Sequence, residues 1–155
     1  AIKHHIKINI EQDPEYYEKL SERLEQLMAQ HHEKWDSLVQ LLLDLRENIE
    51  SEHQKEADDL GLTPTELAFY NILIAELSAS QKDFDKTLIN EVILVVKALV
   101  GILEEATTIV DFFNKWDEQK RVKRDIKRLI IQHFDEDIIK PVTERFMELA
   151  EVKFK

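Results

Sequence analysis

Glycine and proline are nearly absent from this chain: two glycines and three prolines in 155 residues. Tight turns depend on them, because glycine supplies positive φ and proline presets the turn backbone. A chain this poor in both is expected to form long helices with few hairpins. Two of the prolines stand where a helix accepts them. Asp13-Pro14 reads as an N-cap followed by the first helical position. Thr63-Pro64-Thr65-Glu66 reads as an N-cap, a first-turn proline and the glutamate that closes a capping box.

Apolar spacing extends these starts into helices. Tyr17, Leu20, Leu24, Leu27 and Met28 follow Pro14. His31-His32 marks a weak point before a second stripe of Trp35, Leu38, Leu41, Leu42, Leu45 and Ile49. Residues Glu50 to Asp59 are polar all round and are expected to fray or project into water, with Gly61 ending the helix. Leu67 to Leu77 form the third stripe, and Ser78 to Asp83 reads as a loop. Asp85 to Glu105 has only a narrow polar stripe, which places it at the buried centre of a bundle. Thr107 to Val110 reads as irregular. A basic helix spans about Asn114 to His133, Asp135 to Asp137 break it, and a last helix starts near Pro141. At the other end, Ile6, Ile8 and Ile10 alternate with Lys7 and Asn9, a strand period that suggests a short extended arm.

The expected fold is therefore all-α: a single-domain bundle of five to six helices over residues 13–155, with residues 1–12 as an extended arm or linker. The start at Ala1-Ile2-Lys3 reads as an internal position of a longer protein. Without cysteine there is no disulfide and no thiolate chemistry, which suits a reducing cytoplasm. No apolar run is long enough to span a bilayer, so no membrane partner is expected.

Charge supplies the functional signal. The formal net charge is −11. Between Glu11 and Asp59, fifteen acidic residues face five basic ones. Yet Lys120, Arg121, Lys123, Arg124, Lys127 and Arg128 crowd into nine residues. At the helical turn angle they share one arc of about 160°, opposite Val122, Ile126, Leu129 and Ile130. An acidic protein that gathers its cations on one helical face is expected to meet a polyanion or an acidic protein there. A solvated or self-paired face is the bland alternative. Phe112, Phe113 and Trp116 precede this helix and are read as core, although base stacking is open to them.

Catalytic patterns are missing. With glycine only at Gly61 and Gly101, no phosphate-cradling loop can form, and no nucleophile elbow or zinc-protease helix motif occurs. Glu50-Ser51-Glu52-His53 has the spacing of a di-iron half-site. It occurs once, so a small metal-dependent helical enzyme is only a rival reading. His4-His5 and His31-His32 are read as solvated, as are Asp58-Asp59 and Glu104-Glu105. No cofactor is expected.

Three stretches together resemble the C-terminal helical region of the R subunit of type I restriction–modification enzymes. They are Asp13-Pro14-Glu15-Tyr16-Tyr17-Glu18-Lys19-Leu20-Ser21-Glu22-Arg23-Leu24, then Gly61-Leu62-Thr63-Pro64-Thr65-Glu66-Leu67-Ala68-Phe69-Tyr70, then Ile109-Val110-Asp111-Phe112 with the basic run through Ile130. Two departures stand out: Asp111-Phe112 where that family commonly has Asp-Trp, and Asp135-Glu136-Asp137 in place of a proline-rich turn. The resemblance implies a non-catalytic domain of an ATP-dependent DNA-translocating nuclease, with nuclease and ATPase sites in other parts of the protein. It implies attachment to the methyltransferase and specificity subunits and, in addition, contact with DNA; the basic face read from the residues is then expected to meet DNA backbone without reading sequence, or an acidic partner. A stand-alone DNA-binding module is the alternative.

Overall fold

The computed structural model describes residues 2–30, 35–80 and 84–155. Among these residues the fold is all-α, with seven α-helices and no strand. They are α1 (Ile2–Asn9), α2 (Pro14–Gln30), α3 (Trp35–Leu60), α4 (Pro64–Ser80), α5 (Lys86–Ala106), α6 (Trp116–His133) and α7 (Ile139–Phe154). Short 3-10 turns at Phe112–Asn114 and Glu136–Ile138 lead into α6 and α7.

The local start signals act as expected. The Asp13 carboxylate accepts the Tyr16 amide at 3.3 Å. Thr63 and Glu66 close a reciprocal capping box, with Glu66 N–H donating to Thr63 Oγ1 at 3.1 Å and Thr63 N–H to Glu66 Oε1 at 2.9 Å. Asp85 caps α5 by accepting the Leu88 amide at 2.7 Å. Gly61 sits at φ 69°, and the Leu62 amide reaches back to the Ala57 carbonyl at 2.9 Å. That is a Schellman ending, which needs a left-handed residue at that point.

Four expectations need correction. The extended arm is a helix: Ile2, Ile6 and Ile10 are four apart, and Ile2 and Ile6 bury against Tyr17, Leu20 and Leu24. An alternating run can satisfy both periods, and packing chose the helical one. Residues Glu50 to Asp59 do not fray; they continue α3 as one helix, with Ala57 fully buried and His53 mostly so. Ser78 belongs to α4 and returns its hydroxyl to the Ile74 carbonyl at 2.8 Å. The expected loop's remaining residues, 81–83, lie outside the described residues, as does His31-His32.

The fourth correction moves the centre of the bundle from α5 to α4. Every residue from Leu67 to Leu73 is buried, and α4 packs on α2, α3, α5 and α7. A helix that is apolar all round belongs in the middle. In α5 the stripe Val92, Val95, Val96, Leu99, Val100 and Leu103 is buried, but Leu94 on the opposite face is 70% exposed.

Two apolar cores result. The larger joins α4 to α7 and includes Phe69, whose ring meets Phe146 edge-on at 5.0 Å. The smaller joins α1, α2 and the middle of α3. Polar groups tie the two together. Asp13, 1% exposed, accepts from His53 of α3 at 2.8 Å and from the Asn71 amide of α4 at 3.3 Å. Arg145 of α7 pairs with Glu15 of α2 and, at 3.2 Å, with Glu76 of α4. Burial works against the Arg145 cation, but bonds to both glutamates outweigh it and its pKa is raised.

Candidate functional site

α6 is an amphipathic helix held by its inner side. Val122, Ile126 and Ile130 are buried where it packs on α5 and α7. Each such burial is worth about 1.5–3 kcal/mol, so the helix cannot roll its charged side inward cheaply. His133 Nδ1 lies 2.9 Å from Glu91 of α5, fixing the C-terminal end.

This anchoring brings all six sequence-expected cations to one outer face. Across the arc they run Lys123, Lys127, Lys120, Arg124, Arg128, Arg121, in the order set by the helical turn. Lys123 is half-buried and the other five are exposed. Arg121 pairs with Glu118 on its own helix at 2.7 Å. Lys120, Lys123, Arg124, Lys127 and Arg128 form no ion pair among the described residues. The acid-rich helices α2 and α3 pack on α4, and α6 packs on α5 and α7. Among the described residues no acid of α2 or α3 pairs with this face; the acids near it are those of α6 itself and Glu136 and Glu144 beside Lys123 and Lys127. Of the acids on α6, Glu118 is engaged by Arg121, and Asp117, in the first turn, falls on the arc itself between the directions of Arg124 and Arg128. Asp125 faces the groove toward Ile102 and Ala106 of α5.

Two further features belong to this face, and the helical turn accounts for the first by setting Trp116 between the directions of Lys123 and Lys127. Trp116, read as core, is instead 69% exposed, and the Lys120 ammonium sits 4.8 Å from its ring centre. Phe112 takes the buried position and Phe113 is half-buried beside it. Lys140 of α7 lines the same groove as Lys123 and Lys127, together with Glu136 and Glu144. Lys140 lies outside the basic run, and only the docking of α7 brings it there.

The Glu50–His53 pair does not form a site. Glu50 is exposed. His53 Nε2 is bonded to Asp13, and its ring lies 4.2 Å from that of Tyr16. The Tyr16 hydroxyl donates to the Ile49 carbonyl at 3.1 Å, and burial followed by the charge of Glu52 raises its pKa. His53 thus supports the junction between α2 and α3. Among the described residues no group of three or more His, Asp and Glu could hold a metal ion. His5 is not fully solvated either: its ring is 6.0 Å from Tyr17. No helix among the described residues is long and apolar enough to cross a membrane.

Neither the curated proteins nor the solved structures give a match to this chain. A family model does, over residues 1–155, and its family is described as type I restriction enzyme HindI endonuclease subunit-like, C-terminal. The chain belongs to the C-terminal domain family of HindI-like type I restriction endonuclease subunits.

Proposed function

We propose that this domain joins the restriction subunit to the methyltransferase and specificity subunits on DNA, and that the outer face of α6 contacts DNA backbone without reading sequence. In this reading the segment itself is non-catalytic and binds no cofactor, and nuclease and ATPase chemistry belong to other parts of the protein. The observation that carries the DNA contact is the set of five cations without a carboxylate partner among the described residues, in a chain of net charge −11. Backbone phosphates bind such a face by releasing condensed counterions. Contacts to phosphates carry no sequence information of their own, so the expected contact is sequence-independent.

The test replaces Lys120, Arg121, Arg124 and Arg128 with Glu in the whole subunit. Assembly with the methyltransferase complex is scored by native gel with and without DNA, after circular dichroism confirms helicity. Loss only with DNA present supports the phosphate contact. Loss under both conditions makes the face a protein-docking surface. Unchanged assembly rejects both.

A further inference from the structure

Met28, Val39, Leu41 and Leu43 are large apolar side chains left exposed on α2 and the N-terminal half of α3. Met28, Val39 and Leu43, with Leu24, line one open cleft of about 340 Å³ between α1, α2 and α3. Single exposed apolar residues are ordinary, but these three share one cleft. Charge narrows what fits. Acids outnumber bases fifteen to five between Glu11 and Asp59, yet among the described residues the charged side chains lining the cleft are Lys3 and Arg46. Both are exposed, and neither forms an ion pair with a described residue.

We propose that this cleft docks an amphipathic helix from another subunit of the complex. The apolar stripe of that helix enters between Met28 and Leu43, and its flanking acids meet Lys3 and Arg46. Helices bind apolar grooves through a few anchors at i, i+3 or i+4, and i+7. A cleft of this size suits such anchors. The proposal rests on the assembly reading above and gives it a surface separate from α6.

The test uses the full-length restriction subunit and the purified methyltransferase complex. Val39→Asp with Leu43→Asp places carboxylates on the apolar wall at two exposed positions. The expected result is at least a tenfold weaker Kd, with helicity retained. Arg46→Glu also weakens association, and Leu43→Met leaves it unchanged. A subunit lacking this domain sets the floor. If that truncated subunit fails to assemble while Val39→Asp with Leu43→Asp binds normally, the cleft proposal is overturned and the assembly reading stands. If the truncated subunit assembles normally, the assembly reading falls and the cleft proposal with it. Loss of self-association by the subunit alone, seen by sedimentation, assigns the cleft to a second copy and overturns the proposal. Maleimide labelling of Leu43→Cys, read on its peptide by mass spectrometry, needs no disruptive substitution. Protection on complex formation is expected while Leu94→Cys stays reactive; equal labelling of Leu43→Cys, free and assembled, overturns the proposal.

Discussion

Replacing Asp13 with Ala removes a carboxylate that bonds to α2, α3 and α4 at once. Three losses can be read from the geometry. The Tyr16 amide loses its cap at 3.3 Å, worth about 1 kcal/mol. The Asn71 amide, on a residue 8% exposed, loses both carboxylate oxygens, which costs roughly 1–3 kcal/mol when no water replaces them. His53 loses the partner held at 2.8 Å. Against these stands the relief of a carboxylate that is almost wholly withdrawn from water. The losses share one atom group and do not simply add. The net expectation is a destabilisation of about 2–4 kcal/mol, a large part of the ~5–15 kcal/mol that holds a typical domain. For a chain of this size that lowers Tm by roughly 5–15 °C. Urea unfolding followed by far-ultraviolet circular dichroism measures it directly. Asp13→Asn keeps an oxygen for the Tyr16 amide and is expected to lose less than Asp13→Ala. A loss below about 0.5 kcal/mol for Asp13→Ala, the range of ordinary surface changes, refutes the reading of Asp13 as the junction.

Two further outcomes are expected. Thr63→Ala breaks the capping box of α4 and costs about 1 kcal/mol in the same assay, with Thr63→Ser close to wild type. Glu56→Gln stabilises the domain at neutral pH. Burial first, and then the charge of Asp13, raise the Glu56 pKa above its ordinary 4.5. The folded state therefore holds the proton more tightly than the unfolded state, and ionised Glu56 costs stability at all pH values above both pKa values. That cost fades as pH falls through the folded-state value, so the advantage of Glu56→Gln vanishes below about pH 4. Thermal melts of the two proteins across pH 3.5 to 8 test this, and a constant difference contradicts it.

What the sequence makes legible here is what short-range chemistry decides. The Asp13 and Thr63 caps, the Gly61 stop and the α6 arc each depend on residues within a few positions of one another. Elements set by packing were less legible. Ile2, Ile6 and Ile10 alternate and also recur every four residues, and only the surface offered by Tyr17 and Leu20 selects the helix. The centre of the bundle depends on how many neighbours surround a helix, which is why β-branched α5 looked more central than α4. Asp13 meets residues 40 and 58 positions away, and no local pattern announces that junction. At the candidate interface, periodicity identifies the six cations and also sets Trp116, four residues before Lys120, on their arc, whereas the arrival of Lys140 depends on how α7 docks.

The proposed contact between α6 and DNA backbone is tested most directly by the salt dependence of duplex affinity. Fluorescence anisotropy on a short duplex compares the full-length wild-type protein with the variant carrying Glu at positions 120, 121, 124 and 128. Each phosphate contact contributes a slope of about −0.9 in log K against log salt. The variant is expected to bind more weakly at low salt, with a slope shallower by about 1 to 4. Superimposable affinities and slopes for the two proteins contradict the account.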